Sequence, residues 1–240
     1  MKKINVKGPI VSNNVQWIYD LFDIEATSPR NVQDGLDDAN GDDIEVEINS
    51  GGGSVFDGSE IYTALRRHKG NVTVNVVGLA ASAASVIAMA GNKLAMSPTS
   101  QMMIHNASVI HAGDRNDMQH ITDVLSNVDQ TIANAYKEKS GLDDQTLLSM
   151  MDKETWLTPD QALDKNLIDE VMFQDNQSNF AASFNQMSML PDEVINKVRN
   201  MKDTFYPANP SDDSSQGNQS DILNAKLNLL KLRKDDENVD

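Results

Sequence analysis

Short runs of β-type patterning and stretches of helical spacing follow one another along the chain as far as about Val171. Five strands are predicted, at residues 3–11, 43–49, 71–77, 93–96 and 102–105. Apolar residues at steps of three and four predict helices at 13–22, 55–68 and 80–90. Strands that alternate with helices in this way are typical of a layered α/β domain.

A fourth and longer helix is predicted from about Asp114 to Ser140, where Gly141 supplies a C-terminal stop. Its apolar residues also recur at steps of three and four: Met118, Ile121, Leu125, Val128, Ile132 and Tyr136. We therefore expect one stripe of this helix to be buried and the rest of its surface to be available for contact with another copy of the chain.

The last part of the chain, residues 174–240, differs from the rest in composition. Asn, Gln, Ser, Asp and Met dominate, and residues 206–220 have the composition of a linker. A short amphipathic pattern at 222–233 predicts a helix that gains stability by docking on a partner. The sequence thus divides into a domain at 1–173 and a polar tail at 174–240.

Charge and composition narrow the function. The 240 residues carry a formal net charge of −16, which argues against a nucleic-acid partner because phosphate binding needs a basic surface. The absence of cysteine excludes disulfides, thiolate metal sites and cysteine nucleophiles, and it favours a cytoplasmic setting. No long apolar run follows Met1, so neither a signal peptide nor a membrane span is predicted.

Three short segments carry the candidate chemistry, and the first is a glycine run. Residues 48–53 end in Gly51-Gly52-Gly53, between a predicted strand and a predicted helix. Such a run can simply form a tight turn, and it also lets backbone N–H groups approach a ligand without obstruction from side chains. It lacks the Gly-Lys-Ser/Thr ending of a P-loop, so we expect no ATP hydrolysis by this chain.

The other two segments each contain one reactive side chain. Ser82 is predicted in the first turn of a helix rich in Ala and Ser, where the helix dipole favours developing negative charge. His105 ends the apolar run 102–104. Taken one at a time, the serine is also compatible with a close-packed helix, and the histidine with the end of a buried strand.

Together, the three segments resemble the ClpP family of serine peptidases. The resemblance extends from about Ile4 to Val171 and includes an Asn-Ser-x-Gly-Gly element, a Gly-x-Ala-Ala-Ser element, a Met-Ile-His element and, at 155–169, the family's last helix and strand. It implies the spiral of ββα units that ClpP shares with crotonases, without a cofactor or a metal. It also implies a ring-shaped homo-oligomer of stacked heptamers.

The resemblance assigns a role to each matching position. Ser82 corresponds to the nucleophile and His105 to the general base, while the backbone N–H groups of Gly53 and Ala83 correspond to the oxyanion hole. These roles agree with the chemistry, because a serine hydroxyl needs an imidazole to accept its proton and a tetrahedral oxyanion needs convergent donors.

The third member of the triad has two candidates. Alignment back from Trp156 without a gap places Glu154 where the family has an aspartate, and Glu154 is therefore the prediction. Asp152 is the alternative, since it lies on the same face as Glu154 if this segment is an extended strand. Both carboxylates are also compatible with the start of a helix at Thr158.

Two departures from the family pattern point to a subgroup. Gly51 stands where the family has proline, and Ala83-Ala84 follow the nucleophile where the family has Met-Gly. These changes resemble the ClpP-like peptidases of tailed phages and prophages, which process capsid or scaffold proteins during head assembly. The implied partners are copies of this chain, a capsid or scaffold protein as substrate and, as an option, an ATP-dependent unfoldase, in the host cytoplasm or the prohead.

Two other classes of function stay open. A crotonase-type acyl-CoA enzyme would hold a thioester enolate with backbone N–H groups and would not need the Ser82–His105 pair. A capsid-assembly module without activity would keep the fold and dock through its tail. Labelling with a fluorophosphonate separates the peptidase from both, because only the peptidase activates Ser82.

Overall fold

The computed structural model describes residues 1–173 and the single residue Asn196. The interpretations placed on the tail, including the helix at 222–233, lie outside the described residues. Of residues 1–173, Trp17–Ile24 belong to a separate compact unit, and the others form the unit that holds the sheet.

Strands and helices alternate along the chain, and the predicted α/β class is confirmed. In chain order the elements are β1 (Lys2–Lys7), α1 (Gln16–Leu21), α2 (Pro29–Ala39), β2 (Ile44–Ser50), α3 (Val55–Arg66), β3 (Val72–Ala81), α4 (Ala83–Ala88), β4 (Lys93–Met96), β5 (Gln101–Ile104), α5 (Arg115–Ser140), α6 (Asp144–Asp152), β6 (Thr155–Leu157), α7 (Pro159–Asp164) and β7 (Glu170–Val171).

The strands form one sheet that branches at β3. The order β1-β2-β3-β4-β7 is parallel throughout, while β5 pairs in parallel with β3 and antiparallel with β6. Residues 73–76 of β3 pair with β4, and residues 79–81 pair with β5. Strand β3 thus pairs with two neighbours, with β4 along its first half and with β5 along its second half.

Burial alternates along the first strands because only one face of each lies against the core. In β2 every second residue is buried, including Val46 and Ile48, and the residues between them include Glu45 and Glu47. This period of two matches a pleated strand with one apolar face. The polar positions are paired laterally, since Glu47 accepts a 2.7 Å hydrogen bond from Lys3.

The structure extends β3 and shortens the helix that follows it. The strand was predicted to end at residue 77, but pairing with β5 carries it on to Ala81. Helix α4 consequently begins at Ala83, so Ser82 lies at the N-cap position and not inside the first turn as predicted.

The region around Asp152 is also different from the prediction. Asp152 is the last residue of α6, a helix that begins after Asp143, whose side chain accepts a hydrogen bond from Thr146 N. Leu147 and Met151 are buried one turn apart and hold this helix on the core. The premise that Asp152 and Glu154 share one face of a strand is therefore wrong, because β6 starts only at Thr155.

Helix α5 buries only part of its predicted apolar stripe. The residues buried along it are Ile132, Ala133, Ala135, Tyr136 and Ser140, all in its C-terminal portion. Met118 and Val124, in the N-terminal portion, are 38% and 36% exposed. No helix among residues 1–173 is both long enough and apolar enough to cross a bilayer.

Candidate active site

The ends of two neighbouring strands bring Ser82 and His105 together. Ser82 follows β3 directly and His105 follows β5 directly, and the register pairs Ala81 with Met103. The amide of Ser82 donates a 2.9 Å hydrogen bond to the carbonyl of Met103. The Oγ of Ser82 lies 2.8 Å from the Nε2 of His105, within hydrogen-bond distance. The two side chains predicted as nucleophile and base are therefore in direct contact.

The backbone of Ser82 makes a sharp turn between strand and helix. Its φ is 54° and its ψ is −126°, a combination that residues other than glycine rarely adopt. A nucleophile on a strained strand-to-helix turn has its hydroxyl lifted away from the backbone, as in hydrolases with a nucleophile elbow. The turn therefore presents the Oγ of Ser82 to His105 rather than to the helix.

The hydroxyl groups of two buried residues, Ser85 and Tyr136, stabilise this turn. Ser85 Oγ donates to the carbonyl of Ser82 at 2.6 Å and lies 2.7 Å from the hydroxyl of Tyr136. Because the single proton of Ser85 goes to Ser82, Tyr136 is the donor to Ser85. Burial raises the pKa of Tyr136 far above its ordinary value, so the phenol stays protonated as this role requires.

The sequence analysis did not single out Ser85 or Tyr136. Ser85 belongs to the predicted helix rich in Ala and Ser, and its spacing of three residues from Ser82 was the available signal. Tyr136 was assigned only to the apolar stripe of α5, and nothing in that pattern indicates where its hydroxyl points.

The glycine run packs directly against Ser82. Gly52 has a φ of 94°, and a Cβ added to it would lie 2.7 Å from the Cβ of Ser82. Ser50 Oγ fixes this loop by donating to Gly8 O at 2.6 Å and accepting from Gly52 N at 3.1 Å. Only glycine fits at position 52, because a side chain there would displace Ser82.

The two amides predicted for the oxyanion hole belong to Gly53 and Ala83, the residues that follow Gly52 and Ser82 in the chain. Ala83 is the first residue of α4, where a helix leaves its amide without an intrahelical acceptor. Gly53 forms a bridge with Ile10 that uses the carbonyl of Gly52 and the amide of Ser54, so the bridge does not consume the N–H of Gly53.

Neither predicted third member is bonded to His105. Glu154 Oε1 accepts a 3.2 Å hydrogen bond from Trp156 Nε1, and Asp152 Oδ1 accepts one of 2.7 Å from Asn106 Nδ2. Both carboxylates belong to exposed residues. Within residues 1–173, Ser82 is the hydrogen-bond partner of the His105 ring.

A third carboxylate, Asp129 on α5, also reaches this region. Its Oδ1 accepts a 2.7 Å hydrogen bond from the amide of Ala107, two residues beyond His105. Burial raises the pKa of Asp129, the Ala107 amide lowers it, and the charges of Asp152 and His105 raise and lower it respectively. The sequence analysis missed Asp129, although its spacing from Ile132 and Tyr136 places all three on one face of a helix.

A cavity opens beside the pair. Ser82 and His105 form part of its wall, and the remaining lining residues are mainly apolar: Val55, Ser59, Ala83, Val86, Asn106, Ala107, Ile132 and Tyr136. A larger cleft between α2 and α3 does not include the pair. Among residues 1–173 no group of three or more His, Asp or Glu side chains is arranged to hold a metal ion.

Comparison with known proteins identifies relatives that cover this site. The family model described as Clp protease matches residues 35–175. The ATP-dependent Clp protease proteolytic subunit of Deinococcus radiodurans is 33% identical over 139 residues, which cover 57% of this chain and 68% of that protein. Subunit 1 from Chlamydia abortus is 33% identical over 142 residues, covering 57% and 73%. The subunit from Ligilactobacillus salivarius is 35% identical over 133 residues, covering 54% and 67%.

Proposed function

Because the chain belongs to the Clp protease family of serine peptidases, we propose that it is a serine endopeptidase with Ser82 as nucleophile and His105 as general base. The observation that carries this assignment is the 2.8 Å contact between Ser82 Oγ and His105 Nε2 at the strained end of β3. An acyl-CoA enzyme that used only backbone N–H groups would not need this contact.

The first half of the reaction transfers the acyl group to the enzyme. Ser82 Oγ attacks the carbonyl carbon of the peptide as its proton moves to His105 Nε2. The carbonyl oxygen takes up the negative charge and is stabilised by the N–H groups of Gly53 and Ala83. The C–N bond then breaks, and the leaving amine receives the proton from His105.

The second half regenerates the enzyme. A water molecule gives a proton to His105 Nε2 and attacks the acyl carbon, and the new tetrahedral intermediate uses the same two amides. When the C–Oγ bond breaks, His105 returns the proton to Ser82. No step requires a cofactor or a metal ion, and the sequence offers no P-loop for ATP.

The cavity supports a proposal about the side chain that precedes the cleaved bond. Ile132 and Val86 supply apolar contacts, Tyr136 closes part of the wall, and the volume is only about 10 Å³. Such a lining favours a small apolar side chain, because a charged group would lose its hydration without gaining a partner. We therefore propose cleavage after small apolar residues.

Assembly and substrate form the finer part of the proposal. Clp family proteins form rings, and we propose that this chain forms stacked heptameric rings. Gly51 and Ala83-Ala84 support a place among phage and prophage peptidases, with a capsid or scaffold protein as the substrate. The relatives are named ATP-dependent, so an ATP-driven unfoldase is the alternative partner. Hydrolysis of an added capsid protein without ATP distinguishes the two.

The catalytic assignment is tested with Ser82→Ala, His105→Ala and the double variant. Each should lower kcat on a fluorogenic peptide by about 10⁵-fold or more, and the double variant should be no worse than either one, because the two residues act as a unit. Ser126→Ala and His120→Ala, both at exposed positions on α5, are the matched controls. A folded Ser82→Ala variant with wild-type turnover, or a wild type that a fluorophosphonate does not label at Ser82, refutes the assignment.

A further inference from the structure

His105 lacks a carboxylate partner at the place where the sequence predicted one. Its Nε2 is directed at Ser82, and among residues 1–173 no acceptor is hydrogen-bonded to its other ring nitrogen. A general base needs a group that fixes its ring and favours its protonated form. Glu154 is bonded to Trp156 instead.

Asp129 approaches the same segment from a helix. It lies on the same face of α5 as Ile132 and Tyr136, and these two residues line the cavity beside His105. Its 2.7 Å hydrogen bond from Ala107 N ties the chain that leaves β5 to this helix. Asp129 is half-buried, whereas Glu154 is exposed. A carboxylate in this position restrains the backbone just after His105 in the chain.

The charge of Asp129 is coupled to the charge of His105. Burial is the main cause that raises the pKa of Asp129, and Asp152 at the end of α6 adds to it. The Ala107 amide and the positive charge of His105 act in the opposite direction. The Ala107 bond holds the carboxylate near the chain two residues beyond His105, where its negative charge can stabilise an imidazolium that forms during the reaction.

We propose that Asp129 is the positioning carboxylate of the Ser82–His105 pair. It holds the backbone beyond His105 through Ala107, and it favours the imidazolium that forms when the proton of Ser82 moves to His105 Nε2. Asp129 neither gives nor takes a proton in the reaction. This inference rests on the proposed peptidase function, and its test can reject the role of Asp129 while the peptidase function is upheld.

The test compares Asp129→Asn, Asp152→Asn and Glu154→Gln with the control Asp123→Asn, an exposed carboxylate on the same helix. Asn keeps an acceptor for the Ala107 amide and removes only the charge. Asp129→Asn should lower kcat by about 100-fold or more with KM within about twofold of wild type.

A purely structural role for Asp129 would be served by Asn, which keeps the acceptor for the Ala107 amide. Asp129→Glu keeps the charge, so it should recover at least about tenfold of the rate that Asp129→Asn loses, with KM unchanged. This variant also decides the matter if Asp129→Asn does not fold. A folded Asp129→Glu variant with kcat more than about 100-fold below wild type, or an Asp129→Asn rate within twofold of Asp123→Asn, overturns the proposal.

The remaining outcomes are equally distinct. A larger loss in Glu154→Gln or Asp152→Asn than in Asp129→Asn assigns the role to that residue and rejects Asp129. If the wild type itself is not labelled at Ser82, the peptidase assignment is wrong, and the positioning role of Asp129, which rests on it, is rejected with it. Labelled wild type with an unaffected Asp129→Asn variant rejects the positioning role alone.

Discussion

The two halves of helix α5 have the same apolar period and opposite environments. Residues 132–140 include every residue of this helix that is buried, and Tyr136 within them is only 1% exposed. In residues 115–131 none is buried, and Met118 and Val124 are exposed to water. The period alone predicted one stripe against the core along the whole length.

The same apolar period of α5 therefore serves core packing in one half of the helix and, as we expect, assembly in the other. The C-terminal half packs on α4 and α6 and reaches the active site through Tyr136. The N-terminal half follows a loop in which Val109 and Ile110 are also exposed, so several apolar side chains of this region are uncovered in a single chain. Exposed apolar side chains that gather in one patch are typical of an interface. We expect the first half to determine assembly and the second to determine stability.

The largest expected effect is on stability, in the C-terminal half. Tyr136→Ala should lower the free energy of unfolding by about 3–5 kcal/mol, because it opens a cavity and leaves Ser85 without its donor. Val124→Ala, the counterpart in the N-terminal half, should change it by less than about 1 kcal/mol. Urea unfolding followed by circular dichroism measures both. Equal losses would mean that the two halves are packed alike.

The second effect is on assembly, in the N-terminal half. Met118→Asp combined with Val124→Asp places two charges on the exposed surface and should prevent ring formation while the chain stays folded. Light scattering should then give a mass near 26.4 kDa, whereas the wild type should be many times heavier. Asn127→Asp, an exposed position on the same half, controls for added charge. If the double variant assembles like this control, the interface lies elsewhere.

A smaller effect concerns the hydroxyl pair under Ser82. Tyr136→Phe and Ser85→Ala should each cost about 1 kcal/mol of stability and lower kcat by about tenfold, since either change loosens the turn at Ser82. Combined, they should cost less than the sum of the two, because each removes the same contact. Strict additivity in kcat would show that the two hydroxyls do not act together.

The smallest effect is a pH dependence at Asp129, which lies where the two halves meet. Its folded pKa is raised above the ordinary 3.8, so its contribution to stability is present below that value and is lost as pH rises through the folded pKa. The wild-type melting temperature should therefore fall relative to Asp129→Asn as pH increases from about 3 to about 6. A difference that is constant over this range contradicts the raised pKa.

Local patterning predicted most of the fold because the strands have clear apolar runs. The predicted bounds of β4 match the structure, and those of β2 are shifted by one residue at each end. Two helices were missed. Helix α2 starts at Pro29 with Ser28 as its N-cap, and α6 is capped by Asp143 in a segment to which the sequence analysis assigned no element.

The site was predictable only where motif residues lie next to one another in the sheet. Ser82 and His105 follow two strands that pair, so their contact follows from topology once both motifs are identified. Asp129 and Tyr136 reach the site from a helix distant in sequence, and the direction of their polar atoms depends on how α5 packs. A pattern of apolar positions carries no information about that direction.

The left-handed backbone of Ser82 connects the stability of the fold with the proposed reaction. A non-glycine residue at φ 54° and ψ −126° costs on the order of 1–3 kcal/mol, and glycine adopts such angles without this cost. The substitution that would most relieve the fold at this point, Ser82→Gly, is therefore the one that removes the proposed nucleophile. Greater stability and turnover require different residues at this single position.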